Sequence, residues 1–248
     1  MRFPLLLIIL ATLLSGCATT NNLQRVDSIT KSEPILVLSQ FNEALKIKSI
    51  GTTIFTNGEF DINAKSWRIN DYAEGIVKKL LDYNYTVITN PELRNKVSQP
   101  EKNYISSKIY SLNLEPLQPF IKEKGIKYLI VINPLKAGDR YFGTDEFFEG
   151  FGIGQRGAFG FEFKKIFLQM NFMIFDASNG AFIADGLIGS PDDEAPPWII
   201  SKDKTFAWLN EAKDVDKKLL TEFEIEMKEF FKVLLKRNVR ELRFKTIL

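Results

Sequence analysis

The chain has 248 residues, with 33 basic side chains against 31 acidic ones, a single cysteine and no histidine. A net charge of +2 offers no basic footprint for nucleic acid, whose binding rests on neutralising phosphates. The lack of histidine removes Ser-His-Asp and Cys-His catalysis and histidine-ligated zinc, and one cysteine cannot form an intramolecular disulfide.

The first residues, MRFPLLLIILATLLSGC, carry one basic side chain, Arg2, ahead of an apolar run over 5–14 that only Thr12 interrupts. A spanning helix needs about 20 apolar residues. A short apolar core behind a basic start, closed by small residues, is instead an export signal. The ending Leu14-Ser15-Gly16-Cys17 resembles the lipobox of bacterial lipoproteins. That resemblance implies removal of residues 1–16, a lipid on the Cys17 sulfur and acylation of the new amino terminus. Several acyl chains on one residue hold a protein at a bilayer where one chain is marginal. Ala18 stands where an aspartate would resemble an inner-membrane retention signal, so the implied location is the periplasmic face of the outer membrane. Residues 17–33 are the lipidated end and a polar tether that would hold the body on the order of 20–25 Å from the lipid. Residues 34–248 are expected to form a single α/β domain.

After Pro34, Ile35-Leu36-Val37-Leu38 reads as a buried strand. The next strand is expected to run through Ile54-Phe55 to a hairpin turn at Asn57-Gly58, a pair that tolerates positive φ. Asn70 or Asp71 is then placed to cap a helix whose apolar stripe is Tyr72, Ile76, Leu80 and Leu81, with Lys78 and Lys79 near its C-terminal end. Asn84 ends it, and Tyr85-Thr86-Val87-Ile88 returns as a strand. Residues 91–115 show no clear pattern. A short helix over 117–124, with Gly125 just past its end, leads to the apolar strand Tyr128-Leu129-Ile130-Val131-Ile132.

The most marked period-two segment is KIFLQMNFMIFD, residues 165–176, which turns at Ser178-Asn179-Gly180 and pairs back over 181–188. Residues 215–242 read as a long amphipathic helix, with Leu219, Leu220, Phe223, Met227, Phe230, Phe231, Leu234 and Leu235 along one stripe. Helix followed by buried strand, twice, predicts an α/β or α+β fold: a mixed sheet with helices packed on it, a hairpin in the last third and a long C-terminal helix.

Within GFGIGQRGAFG, residues 150–160, Gly152, Gly154 and Gly157 have the G-x-G-x-x-G spacing of a dinucleotide turn. That fingerprint needs a helix after the glycines to meet the pyrophosphate. Here an alternating segment follows, so no dinucleotide cofactor is expected, and the glycines are read as bends in a long mobile connection. The surrounding rings, Tyr141, Phe142, Phe147, Phe148, Phe151, Phe159, Phe161 and Phe163, either plug one end of the sheet or form a contact surface. On the second reading Phe147, Phe148, Phe151, Arg156 and Phe159 are the candidate partner contacts.

No metal cluster or catalytic constellation is evident. Carboxylate-pair hydrolysis could draw on Asp145, Glu146 and Glu149, or on Asp192, Asp193 and Glu194 in the proline-rich stretch SPDDEAPP. The mature chain also resembles the small α/β domains of periplasmic lipoproteins, among them the activators of peptidoglycan synthases and the curli-secretion lipoprotein, a resemblance that assigns no residue a role. The leading expectation is a non-enzymatic envelope lipoprotein that binds a protein or wall component. The alternatives are a carboxylate-dependent hydrolase of wall glycans and a lipid-carrying protein.

Overall fold

The computed structural model describes residues 32–51, 57–98, 101–103, 109–139, 142, 144–158, 161–187 and 207–242. Cys17, Ile54, Phe55, Phe159 and the Asp192-Asp193-Glu194 cluster lie outside these residues. In chain order the elements are β1 (Pro34–Ser39), β2 (Ala44–Ile50), β3 (Gly58–Asn63), α1 (Ile69–Leu81), β4 (Thr86–Thr89), β5 (Glu101–Asn103), β6 (Ile109–Ser111), α2 (Gln118–Lys124), β7 (Tyr128–Pro134), β8 (Lys136–Gly138), β9 (Phe147–Ala158), β10 (Phe161–Asp176), β11 (Phe182–Leu187) and α3 (Lys217–Glu241).

Nine of the strands form one mixed sheet in the order β3-β2-β9-β10-β7-β1-β4, with β11 added to β10 and β8 to β9. The predicted sheet with packed helices, late hairpin and long C-terminal helix is therefore present. Strand β1 runs parallel to both β4 and β7, the arrangement that the two helix–strand steps produce. Strand β10, 16 residues long, joins the two halves of the sheet. Its first half pairs antiparallel with β9 and its second half with β7. Beside them, β1 pairs with β7 and β2 pairs with β9.

From Ile166 onward both faces of β10 are covered, as its period-two pattern of apolar residues on each side requires. On one face Ile166, Leu168, Met170, Phe172 and Ile174 pack with α1 and α3 in the main core. Phe223, Met227, Phe231 and Leu235 bring the stripe of α3 into that core. Each such side chain contributes about 1.5–3 kcal/mol on burial. The other face is split in two. Met173 and Phe175 join Leu36, Leu129 and Val131 under α2, while Phe167 joins Ile50, Phe142 and Phe148. Between these clusters sits Gln169, 2% exposed, neither of whose amide atoms has a hydrogen-bond partner.

Four expectations need correction. The stretch 150–158 is no mobile connection but the body of strand β9, and only Gly150 in it has positive φ, at 71°. Gly152 is there because β9 and β2 approach too closely for a side chain: a Cβ would lie 2.0 Å from the Lys46 carbonyl oxygen. Asn57-Gly58 is not a two-residue turn. Gly58 already pairs with Ser49, and Asn57 closes a longer loop by accepting from the Gly51 N–H at 2.9 Å.

Nor do Asn70 and Asp71 cap α1, which begins at Ile69 after Arg68 in the left-handed region (φ 50°). The Asn70 side chain instead turns inward, accepting from Ser39 Oγ and Phe41 N and donating to the Phe41 carbonyl, at 2.8–2.9 Å. These tertiary bonds rotate the helix. Its buried face is Ile69, Ala73, Val77 and Leu81, and the predicted stripe residues Tyr72, Ile76 and Leu80 are only half-buried. Gly125, by contrast, does what was expected, ending α2 at φ 63° with its N–H bonded back to the helix.

Candidate functional site

The predicted contact residues part company in the structure. Phe148 alternates with the exposed Phe147 and Glu149 along β9 and faces the Phe167 cluster, whereas Phe151, beyond the positive-φ Gly150, lies in the main core. Phe148 is 1% exposed and meets the Phe167 ring edge-on at 5.0 Å. Phe151 is 3% exposed, with the Phe41 and Phe231 rings each 6.1 Å away. Both are core residues and are withdrawn as contacts. Arg156 is half-buried and its guanidinium donates to the Phe142 carbonyl, which fastens the preceding loop to the strand. Of the named set only Phe147, 54% exposed, offers its ring to solvent among the described residues.

The outward aromatic surface lies one strand further on. Phe161 and Phe163, 68% and 49% exposed, share one face of β10 where the β9–β10 hairpin runs past the core. Their ladder partners are Ala158 and Arg156. Farther along the same face, past Lys165, comes the buried Phe167. The sequence held this signal, since Phe161-Glu162-Phe163-Lys164 alternates apolar and charged residues beyond the last buried position of the strand.

Glu146 and Glu149 line a cleft of about 260 Å³ together with Lys46, Lys48, Glu59 and Lys136, whereas Asp145 is exposed outside its lining. Lys48 bonds both the Glu146 carboxylate and the Phe147 carbonyl at 2.7 Å, and the Asn57 amide reaches Glu146 at 2.6 Å. The Lys48 hydrogen bond, ahead of the opposing effect of burial, holds the Glu146 carboxyl below the usual carboxylate range. Glycoside hydrolysis needs one carboxyl kept protonated as a general acid. Glu146 is biased the other way, and its bonds anchor the β8–β9 hairpin to β2.

At the C-terminal end of β1, Glu74 is 2% exposed and accepts from the Ser39 N–H at 2.8 Å. Arg94 grips it through Nε at 2.7 Å and Nη2 at 2.6 Å, and reaches Asp71 at 2.6 Å. Sheet ends of this kind often hold ligands. Here the guanidinium is already taken by two carboxylates, so the cluster staples α1 and the 3₁₀ turn Pro91–Lys96 to the sheet.

A cavity with an apolar floor lies between α1 and α3. It measures about 640 Å³ and is lined by Asp71, Tyr72, Gly75, Ile76, Lys79, Leu80, Tyr83, Lys232 and Lys236. It exists because Asn70 and Glu74 turn the other face of α1 to the sheet, which leaves Tyr72, Ile76 and Leu80 beside α3. Helical periodicity alone could not find it, since it assigns those three residues to the core. No helix among the described residues is long and apolar enough to cross a membrane. Among those residues no group of three or more His, Cys, Asp or Glu side chains is placed to hold a metal ion. No protein-family model matches the chain, and no curated protein matches it.

Proposed function

We propose that the chain is a lipoprotein of the bacterial envelope, acylated at Cys17 and held at the periplasmic face of the outer membrane, whose folded body is a non-enzymatic binding or assembly module. Its location rests on the leader and on Leu14-Ser15-Gly16-Cys17. The binding role is supported by one observation above the others: Phe161 and Phe163 stand exposed side by side on a strand that outruns the core. Exposed apolar patches of this kind mark contact sites, and aromatic residues are enriched at protein interfaces. The partner would be an envelope protein or a wall component.

Two measurements in whole cells test this. Metabolic fatty-acid labelling is expected to mark the wild type and not Cys17→Ser, which should leave the membrane fraction. A photoreactive phenylalanine analogue at Phe161 is expected to trap an envelope protein or wall fragment. With the analogue kept at 161, Phe163→Ser should weaken that capture, and the pair Phe161→Ser and Phe163→Ser should keep a melting temperature within about 2 °C of wild type, because surface changes of this kind alter stability by less than about 0.5 kcal/mol. Equal membrane retention of Cys17→Ser, or no adduct at position 161, counts against the reading. Release of fragments from purified peptidoglycan, abolished by changes at Asp145 and Glu149, would favour the hydrolase instead.

A further inference from the structure

The α1–α3 groove combines three features. Its floor is an apolar strip, Tyr72, Ile76 and Leu80, which runs about 12 Å along α1 at 1.5 Å per residue. In the middle of that helix sits Gly75, where an added Cβ would find nothing within 4 Å. Glycine inside a helix is destabilising relative to alanine, and no neighbour presses on this position to require it. The third feature is charge. Lys79, Lys232 and Lys236 line the groove against one carboxylate, Asp71, which is already bonded to Arg94 and Arg68 at 2.6 Å. Lys232 shares Glu229 at 3.0 Å, while Lys79 and Lys236 form no ion pair among the described residues.

We infer that this groove is a binding site for an anionic lipid, with an acyl chain laid along Tyr72, Ile76 and Leu80 and the headgroup held by Lys79, Lys232 and Lys236. Lysine stems extend apolar walls while their ammonium groups stay at the rim, which suits an amphiphile with one charged end. The volume, about 640 Å³, falls within the range of small-molecule sites, roughly 300–1,000 Å³. At Gly75 the groove is open beyond 4 Å, which leaves room for an alkyl chain along the strip. The inference is independent of the anchor: Cys17→Ser is expected to leave the groove's binding unchanged.

The full chain, purified in a nonionic detergent, would be exposed to phosphatidylglycerol bearing a diazirine in its acyl chain, and separately to phosphatidylcholine with the same chain. Label is expected in peptides from α1 and α3, at least fivefold more from the anionic lipid. Lys79→Gln with Lys236→Gln should bring the anionic lipid down to the zwitterionic level. Gly75→Phe should block labelling by both, while Gly75→Ala should retain it and raise the melting temperature, which shows that the helix accepts a side chain there. Equal labelling by the two lipids, label spread along the chain, or undiminished labelling of a folded Gly75→Phe would overturn the inference. So would capture of a protein segment, in place of lipid, by a photoreactive residue at Ile76.

Discussion

Gly152→Ala is expected to destabilise the protein by about 3–5 kcal/mol, read from the midpoint of urea unfolding, although it adds one methyl group. The new Cβ would lie 2.0 Å from the Lys46 carbonyl oxygen and 2.7 Å from the Phe167 ring. The carbonyl is the obstacle that matters, because it is backbone of β2 in register with β9 at this pair. It cannot retreat without opening the ladder that joins β2 and β3 to the rest of the sheet. Gly154→Ala is the informative comparison. Its Cβ would meet the Phe142 and Phe148 rings at 2.9 and 3.0 Å, and no backbone atom is among its nearest neighbours. Rings can shift by a few tenths of an ångström, so a loss of only about 1–2 kcal/mol is expected there. Similar losses at the two glycines would contradict this account of why β9 carries them.

Arg94→Met is expected to cost about 3–5 kcal/mol, because it leaves the Glu74 carboxylate buried without its cation. Glu74 is 2% exposed and has lost its route to water. The double variant, Arg94→Met with Glu74→Leu, should recover at least half of that loss, since no charge is then stranded. The recovery is incomplete because the Ser39 N–H also bonds Glu74 and would lose its acceptor. If the double variant were as unstable as Arg94→Met, the stranded charge would not be the cause.

Acid unfolding reads the same cluster from another side. The Arg94 hydrogen bond, helped by Arg68 and ahead of the opposing effect of burial, holds the Asp71 carboxyl below the usual carboxylate range. A depressed folded value means that the stabilisation is present above the unfolded value, about 3.9, and is lost as pH falls through the folded one. Wild type should therefore lose stability below about pH 4 through this group, and Arg94→Met should show a shallower loss over the same window.

Long periodic elements were legible because their signal is local. The eight-residue stripe predicted along α3 does face the sheet, with Leu219 and Leu220 at its half-buried start, and β10 shows apolar residues on both faces because both are covered. Strand β1, strand β7 and the glycine stop of α2 were likewise readable from runs and punctuation a few residues long. The glycines of β9 were misread for a physical reason. Glycine permits bends and also permits close strands, and only the neighbour across the sheet decides between them. Lys46 lies more than a hundred residues from Gly152, beyond the reach of any window along the chain.

What the sequence determined by itself was the class of fold, its long periodic elements and, through residues 14–17, the expectation of a lipid anchor. Tertiary structure alone decided which rings face water and where a groove opens. Phe148 and Phe161 are the same residue type on neighbouring strands, yet one is 1% and the other 68% exposed. Likewise α1 has two apolar stripes, and the hydrogen bonds of Asn70 and Glu74 to β1 and the residues just after it choose which one meets the sheet. Periodicity records that a face is apolar. Which apolar face is buried depends on the partners that the rest of the chain folds against it.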